Sequence, residues 1–485
     1  MIFSTLNLND REPIYIQLQN HITEGIENGE LKKGSKLPST REASKLLKIS
    51  RNSVITAYEE LESQGIIITK RGIGTFIYME SQTEKEGYFI NYQSKINKYG
   101  ITLKEEDIIK SEPTYQKGMI SFKSIAPEPS LYNMEDFKRA LLDAYSLEYT
   151  NLLSYGYAKG YAPLIDYLKS YMESKGIVTS NKDILITNGF TEAFDILISS
   201  MTNPGDVILC EKPTHNTALK IMKSYGVIPV QIEMDKDGLN LKELEGALKN
   251  HNPQFGYLIP SYNNPTGIVT KSDKRQKIYN LFKKYSVAII EDGFNEELLY
   301  SSSPLEPISS LCGTGNGVIY IGSLSKILFP GLRIGWVLAD KSLIDTLESI
   351  KRGRNIHSSF LDQSAFYYYL KSGAFNKYIK NVRKYYREKY HLVKTLVNKH
   401  IPNEFITGEG GLHIFIKLKH SINARDLLAL CIKDGVIFMP GDIFYSDKSN
   451  KDTLRLGFGR ISDEDIERGI KIIAKNLAIL SKDSK

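Results

Sequence analysis

Residues 318–333 read Val-Ile-Tyr-Ile-Gly-Ser-Leu-Ser-Lys-Ile-Leu-Phe-Pro-Gly-Leu-Arg and join an apolar run to a polar loop. The run Val318–Ile321 is short and rich in β-branched residues, which is typical of a buried strand. Lys326 follows on the loop, and Arg333 comes seven residues later. A lysine becomes nucleophilic when neighbouring cations and partial burial lower its pKa. The stretch therefore predicts a reactive amine close to an anion-binding guanidinium.

This combination of side chains suits a phosphorylated aldehyde, and pyridoxal 5'-phosphate (PLP) is the candidate cofactor. Lys326 would supply the amine of a Schiff base. Arg333 would hold the phosphate with its planar fork, and Ser323 and Ser325 would donate hydroxyl hydrogen bonds. A surface lysine in a polar loop is the alternative that this stretch alone leaves open.

The composition is that of a globular protein with more than one domain. At about 150 residues per domain, 485 residues predict two to four units. No apolar run is long enough to span a membrane, and the first residues lack a basic segment followed by an apolar core, so we expect a cytoplasmic protein. Cys210, Cys312 and Cys431 lack metal-ligand spacing, which predicts structural burial and no metal site.

The distribution of charge is more informative than the net charge of +7. Residues 1–80 contain equal numbers of basic and acidic residues, yet the basic ones cluster between residues 31 and 51, where only Glu42 opposes them. Such a polarised segment is typical of a nucleic-acid contact.

Residues 11–78 have the pattern of three short helices and a β-hairpin. Isoleucine or leucine recurs every four residues within Pro13–Asn28, which predicts an amphipathic helix. Ser39-Thr-Arg-Glu42 is a capping box that begins a second helix, and Ser50 caps a third. Two β-rich runs in Ile66–Ile77 meet at a glycine turn, which predicts a hairpin.

This order of elements predicts a winged helix-turn-helix. Its third helix would enter the major groove, while the second helix and the wing would contact phosphates. The third helix begins with polar side chains that can hydrogen-bond to bases; a small protein-binding module is the alternative. The predicted DNA-contacting residues are Ser39, Arg41, Ser50, Arg51, Asn52, Ser53, Lys70, Arg71 and Gly72.

The same segment resembles a known family. Residues 26–41 read Ile-Glu-Asn-Gly-Glu-Leu-Lys-Lys-Gly-Ser-Lys-Leu-Pro-Ser-Thr-Arg, and Ile49-Ser-Arg-Asn-Ser-Val54 and Gly72-Ile-Gly-Thr-Phe76 follow. These motifs resemble the GntR-type winged helix, which implies a DNA-binding domain over 11–78. Residues 79–117 are polar, mixed in charge and without sustained periodicity, and we interpret them as a linker that leaves room for short helical pieces.

From residue 118 onward, short apolar runs alternate with helical segments. This alternation predicts an α/β domain with a mostly parallel sheet covered by helices, whose ligands bind at the carboxyl ends of the strands. The predicted strands are 183–187, 206–210, 256–260, 287–290 and 318–321.

Groups suited to a pyridine ring and its phosphate follow these runs. Gly189 and Thr191 open a helix whose amides form a phosphate seat. His215 could lie over a flat ring, and the Asn264 amide could donate to the phenolic oxygen. Asp292 could keep the pyridine nitrogen protonated, so that the ring accepts electrons. A solvated loop histidine and a solvated acid at a strand end are the alternatives.

The region 118–485 resembles the fold-type I aminotransferases. The resemblance implies that Lys326 forms the internal aldimine, that Arg455 binds a substrate carboxylate, and that Tyr155 reaches the cofactor phosphate of a neighbouring subunit in a homodimer. The remaining roles that it implies are the phosphate ligands Thr191, Ser323, Ser325 and Arg333, the oxygen donor Asn264, the pyridinium partner Asp292 and the stacking group His215.

Three positions depart from the family's pattern. Phe294 stands where relatives have a tyrosine that donates to the phenolic oxygen, and Ile125 stands where they have a glycine near the substrate. Ala158 replaces the usual proline of the Tyr155 motif. At most slow or partial transamination is therefore expected.

A GntR-like winged helix joined to an aminotransferase-like domain resembles the MocR family of transcriptional regulators. The resemblance implies a dimeric DNA-binding regulator whose PLP domain senses an amino compound through external aldimine formation. Two other hypotheses stay open: an aminotransferase with an ancillary DNA-binding module, and a regulator in which Lys326 captures PLP itself as the signal.

Overall fold

The computed structural model describes residues 2, 3, 6, 8, 9, 12–79, 90–107, 116–298, 300, 305–324 and 327–483. The chain divides into two compact units, Met1–Lys95 and Ile96–Lys485.

The first unit is a three-helix module with a small antiparallel sheet. Its elements are α1 (Ile14–Glu27), β1 (Lys36–Leu37), α2 (Thr40–Leu47), α3 (Arg51–Ser63), β2 (Ile67–Lys70) and β3 (Gly74–Ile77). The sheet has the order β1-β3-β2. Leu18, Ile22, Val54 and Leu61 are fully buried between the helices, so the apolar stripe predicted for the first helix faces the core.

The predicted caps fix where the second and third helices begin. Ser39 and Glu42 form the reciprocal capping box, with the Ser39 amide 2.8 Å from the Glu42 carboxylate. The Ser50 hydroxyl accepts a hydrogen bond from the Asn52 amide at 3.2 Å. The hydroxyl of Tyr58, on α3, donates to the Pro38 carbonyl at 2.9 Å and holds α3 against the chain that enters α2. The helix-turn-helix predicted from the sequence is therefore confirmed.

The second unit alternates helices with strands. Its helices are α4 (Lys98–Glu105), α5 (Met134–Leu147), α6 (Tyr149–Leu152), α7 (Ala162–Glu173), α8 (Phe190–Met201), α9 (Asn216–Ser224), α10 (Leu241–His251), α11 (Ser272–Lys284), α12 (Lys341–Asn355), α13 (Phe360–Lys371), α14 (Ala374–His400), α15 (Ala424–Lys433) and α16 (Asp463–Asp483). Its strands are β4 (Ile120–Ser121), β5 (Lys182–Thr187), β6 (Val207–Lys212), β7 (Ile228–Asp235), β8 (Gly238–Leu239), β9 (Phe255–Leu258), β10 (Ala288–Asp292), β11 (Val318–Ser323), β12 (Gly335–Asp340), β13 (Asn403–Thr407), β14 (His413–Leu418), β15 (Val436–Ile437), β16 (Met439–Pro440) and β17 (Thr453–Gly457).

The large sheet has the order β5-β12-β11-β10-β9-β6-β7-β8. The strands from β11 to β7 in this order are parallel, whereas β12 runs antiparallel to both β11 and β5. All five strands predicted from apolar runs are present within one or two residues, and apolar clusters pack on both faces of the sheet. The expected mostly parallel α/β architecture is therefore confirmed.

A smaller antiparallel sheet, β13-β14-β17-β16, lies toward the C-terminus, and β15 pairs with β4. Thus the segment just after residue 118 returns beside the C-terminal part of the chain. Near this pairing, Ile125 lies close to Gly457. A Cβ built on that glycine would lie 3.1 Å from the Ile125 side chain.

The segment 79–117, interpreted as a linker, contains the helix α4, which packs within the second unit. Its Tyr99 ring lies 5.2 Å from the ring of Tyr225, and Glu106 accepts from Lys223 at 3.5 Å. Cys210, Cys312 and Cys431 are buried and free, as predicted. Within the described ranges, no helix combines the length and the apolar character needed to cross a membrane.

Candidate cofactor site and nucleic-acid interface

The predicted DNA-contacting side chains lie on the surface of the first unit. Ser53 is half-buried, whereas the other eight predicted positions are exposed. Arg51 and Asn52 stand at the first turn of α3, where a recognition helix presents side chains to base edges.

The wing is a tight hairpin with basic side chains at its tip. The Ile73 amide donates to the Lys70 carbonyl at 3.0 Å, and Gly72 adopts a positive φ of 79° that closes the turn. The ammonium groups of Lys36 and Lys70 each lie 5.9 Å from the centre of the Phe76 ring. Together with Arg71, these groups can neutralise phosphates beside the groove.

In the second unit, residues of the predicted phosphate seat lie close together between β5 and α8. The Arg333 guanidinium donates to the Asn188 carbonyl at 3.0 Å. Gly189 has a φ of 81°, and a Cβ there would lie 2.7 Å from the Arg333 nitrogen. Only glycine therefore allows this close approach, which brings Arg333 to the first turn of α8, where Thr191 lies.

A buried carboxyl group lies at the end of β10. Asp292 is 7% exposed and accepts a hydrogen bond from the Tyr257 hydroxyl at 2.9 Å. Burial raises the pKa of Asp292 to about 7, and burial also raises the pKa of Glu211, whose carboxylate accepts from the Ile259 amide at 2.6 Å, to about 8. No cation pairs with Asp292 among the residues that the structure describes. This end of the site therefore favours a proton or a cationic ligand atom.

Aromatic rings border the same region. His215 immediately precedes α9, and its ring centre lies 5.1 Å from that of Phe190. Phe190 in turn lies 6.0 Å from the Tyr257 ring. His215 is half-buried, and its role as a stacking group stays a prediction.

The predicted carboxylate site and the predicted oxygen donor contact each other. Arg455 donates to the amide oxygen of Asn264 at 2.8 Å and to the Lys123 carbonyl at 3.2 Å. Its guanidinium also lies 5.2 Å from the centre of the Phe444 ring. Because Arg455 takes the amide oxygen, the amide nitrogen of Asn264 is the group that can donate to a ligand.

A histidine that the sequence analysis did not single out lies behind these residues. His413 is fully buried, and one ring nitrogen lies 3.3 Å from the Asn263 carbonyl. Burial, with a smaller effect of the Arg455 charge, lowers the pKa of His413 to about 3, so this ring is neutral. The Phe294 ring lies 6.3 Å from it. An isolated histidine in the apolar strand β14 gave no sequence signal for this position.

The remaining predicted site residues make other contacts or lie outside the described residues. Ser323 donates to the Ile334 carbonyl at 3.3 Å. Tyr155 is 83% exposed, and its ring meets His357 edge-on at 6.2 Å between centres. Ser325 and Lys326 lie outside the described residues, so the predicted Schiff-base lysine remains a prediction from the sequence.

The donor set fits a phosphorylated pyridine aldehyde. One end holds Arg333 beside a glycine cradle that a Cβ would fill, and this suits a phosphate. The other holds the buried Asp292, whose ionised form needs a cation such as a protonated ring nitrogen. A ligand with an anion at one end and a basic nitrogen at the other matches both the Arg333 end and the Asp292 end of the site.

Comparison with known proteins gives the same division of the chain. Residues 115–473 match the family described as aminotransferase class I and II, and residues 14–77 match the bacterial regulatory proteins of the gntR family. The uncharacterized HTH-type transcriptional regulator YdfD of Bacillus subtilis is 28% identical over 94% of this chain and 95% of its own length. The probable rhizopine catabolism regulatory protein MocR of Rhizobium meliloti is 23% identical over 94% of this chain and 92% of its own.

The chain belongs to the aminotransferase class I and II family and carries a gntR-family domain at its N-terminus, which is the MocR-type arrangement. The resemblance stated from the sequence is thereby confirmed. The aromatic-amino-acid aminotransferase 1 of Thermococcus litoralis is 30% identical to this MocR-type chain, over 74% of it and 88% of the enzyme.

A solved structure supports the fold of the second unit. The α-aminoadipate aminotransferase LysN from Thermus thermophilus, complexed with N-(5'-phosphopyridoxyl)-L-leucine, superposes with a TM-score of 0.75 at 27% identity. The match covers 81% of the MocR-type chain and 100% of LysN. The prediction of PLP is thus confirmed at the level of the family, whose aminotransferases are PLP-dependent.

Replacing Arg51 with alanine is expected to remove sequence discrimination, because a bidentate base contact contributes about 1–3 kcal/mol. Arg71→Ala on the wing should instead weaken all sequences alike and lower the salt dependence, as lost phosphate contacts do. Fluorescence anisotropy would compare DNA selected by the protein from a random pool with a scrambled duplex at two salt concentrations. An Arg51→Ala variant that discriminates like the wild type would contradict the assignment of α3.

Asp292→Asn is expected to change how the stability of the cofactor-free chain depends on pH. The folded pKa of about 7 lies above the ordinary value of 3.8, so the stabilisation by the protonated carboxyl is complete below pH 3.8 and is lost as the pH rises through 7. The neutral amide should therefore stabilise the second unit by about 2–4 kcal/mol relative to wild type at pH 8, and far less at pH 5. Calorimetry at both pH values measures the difference, and equal effects at the two would contradict the burial of an unpaired carboxyl.

Proposed function

We propose that this chain is a homodimeric transcriptional regulator whose second unit binds PLP and senses an amino compound that carries a carboxylate. The observation that carries the proposal is the 2.8 Å hydrogen bond between Arg455 and Asn264. It joins the residue suited to a ligand carboxylate to the residue suited to the ring oxygen of the cofactor. A ligand that displaces or strengthens this hydrogen bond therefore changes the position of both Arg455 and Asn264.

Each residue of the site has a task in this function. PLP, when bound, supplies an aldehyde that captures a primary amine and a ring that accepts electrons. Arg333, Gly189 and Thr191 would hold its phosphate, and Asp292 would hold the proton at the ring nitrogen. Lys326 would provide the amine that attaches the cofactor and that the ligand displaces. Arg455 would bind the ligand's carboxylate.

The positions that depart from the aminotransferase pattern favour sensing over rapid turnover. Phe294 offers no hydroxyl to the phenolic oxygen, so Asn264 is left as the donor there. Ile125 is buried against Gly457, two residues after Arg455, and its branched side chain constrains the strand that presents the guanidinium. Rapid proton transfer requires closely positioned groups, whereas ligand capture requires only binding.

A homodimer is supported by the surface around Tyr155. A concentration of exposed apolar side chains in one segment is typical of a protein–protein contact. Large apolar side chains are exposed at Met134, Leu141, Leu142, Tyr145, Leu147, Tyr149, Leu153, Tyr155 and Tyr157. Tyr155 would then reach the phosphate of the partner's cofactor, and two winged helices would bind paired half-sites on chromosomal DNA in the cytoplasm.

Catalysis is the second candidate function, because 30% identity links the second unit to an aromatic-amino-acid aminotransferase. In that case the winged helix would be an accessory module. A third hypothesis, that PLP itself is the signal, predicts that DNA affinity changes when PLP alone is added.

The expected result separates these candidates. At least one carboxylate-bearing amine in a panel of α- and ω-amino acids should change operator affinity by about 5- to 150-fold, since allosteric coupling is typically 1–3 kcal/mol. Arg455→Gln should abolish this response while the protein still binds PLP. Arg468→Gln, at an exposed position on α16, is the matched control and should respond like wild type. Stopped-flow absorbance and operator binding would be measured on the same samples.

Sustained turnover at ordinary aminotransferase rates, with operator affinity indifferent to every amine, would replace the regulator with the enzyme. A response to PLP alone that no amine modifies would favour the vitamer as the signal.

A further inference from the structure

A buried lysine on α12 lies at the edge of the large sheet next to the phosphate seat. Lys351 is fully buried, and its ammonium donates to the Ile186 carbonyl and, at 2.8 Å, to the Ser358 hydroxyl. Both acceptors are neutral, and among the described residues no carboxylate lies within ion-pair distance of Lys351. Burial lowers the pKa of Lys351 to about 8, and the more distant charges of Glu192 and Glu348 offset only part of this effect. A buried cation of this kind costs stability unless an anion offsets it.

Lys351 fixes the last peptide of β5 before the seat. Among the described strands β5 pairs with β12 alone and forms the edge of the sheet, so its outer backbone groups need partners elsewhere. The Ile186 amide donates to the Lys159 carbonyl at 2.9 Å, and the Ile186 carbonyl accepts from Lys351. Thr187, Asn188 and Gly189 follow directly in the chain.

One turn later, the same face of α12 holds the other side of the seat. The amide of Asn355 donates to Glu192, and Glu192 accepts from the backbone amide of Asn188. Arg354 donates to Asp195 on α8. The end of α12 therefore forms hydrogen bonds both with β5, which precedes the phosphate seat, and with α8, which follows it.

The chain after α12 connects these contacts to Tyr155. Ser358, which accepts from Lys351, also provides the carbonyl that lies 2.8 Å from the ring nitrogen of His357. The His357 ring packs edge-on against Tyr155, and a Cβ on Gly156 would lie 3.3 Å from it. Lys351 thus contacts both the phosphate seat's strand and the segment that supports the Tyr155 loop.

The structure assigns Lys351 as a positioning residue that couples the phosphate seat of one subunit to the Tyr155 loop that its partner uses. This inference rests on the homodimer and the PLP binding proposed above. Phosphate in one seat offsets the charge of Lys351 and tightens its bonds to Ile186 and Ser358. The ordered Ser358 and His357 then hold Tyr155 ready for the second cofactor, so that PLP binds the dimer cooperatively.

Lys351→Met tests the coupling, because methionine keeps the length of the buried chain and removes the ammonium. The matched control is Arg352→Met, at the next position of α12, which is exposed and pairs with Glu348 on its own helix. PLP would be titrated into the cofactor-free dimer by absorbance, and the phosphorus-31 signal of the bound phosphate would be recorded.

Wild type and Arg352→Met are expected to bind PLP with a Hill coefficient above 1. Lys351→Met should bind about tenfold more weakly, without cooperativity and with a shifted phosphorus signal, since it loses charge-assisted hydrogen bonds. Lys351→Arg should restore part of the affinity, which a purely space-filling role would not do. Unchanged affinity, Hill coefficient and phosphorus signal in Lys351→Met, or a non-cooperative wild type, would overturn the proposal.

If Lys351→Met does not fold, the variant Ser358→Ala tests the coupling instead. This variant keeps the bond to Ile186 and cuts the connection to Tyr155, so cooperativity should vanish while affinity stays near that of wild type. Retained cooperativity overturns the coupling. A wild-type chain that binds no PLP at all would instead refute the proposed function itself.

Discussion

The carboxyl ends of neighbouring parallel strands meet at one edge of the large sheet, and the site depends on this constraint. β5, β6 and β10 all run in the same direction and end there; Thr187 and Asp292 are the last residues of β5 and β10, and Glu211 is the penultimate residue of β6. The strands are apolar because both faces are covered, so polar groups collect where the strands stop. No single loop has to bring them together.

The resulting site has acidic and basic side chains at separate positions. Buried carboxyl groups, Asp292 and Glu211, lie at one end, where burial raises their pKa values. Arg333 and Arg455 present guanidinium groups at separate points, each fixed by hydrogen bonds to backbone or amide oxygens. Such fixed charges favour a ligand that is cationic at one end and anionic at two others, which describes a pyridinium phosphate joined to an amino acid.

The elements and the main site residues could be predicted because their signals are local. The capping box at Ser39 spans only four residues, and Asp292 stands at the end of an apolar run. The partners of these residues could not be predicted, since Tyr257 meets Asp292 across 35 residues of sequence and Arg455 meets Asn264 across 191. The fold, and no sequence pattern, determines those contacts.

Two further features had a weak sequence signal or none. Lys351 lies within a helix of charged and apolar residues, where nothing distinguishes it from a solvated lysine, yet it is fully buried. The helix α4 lies in a polar segment without strong periodicity, and its contacts with Tyr225 and Lys223 order it. Tertiary contacts override weak local preferences in both cases.

The central claim is that the second unit forms a PLP site around Lys326. Borohydride reduction of the purified protein in the presence of PLP, followed by peptide mapping, tests it most directly. We predict a yellow protein before reduction and a pyridoxyl label on the peptide that contains Lys326. A protein that stays colourless with PLP, or a label on another lysine, would contradict the account.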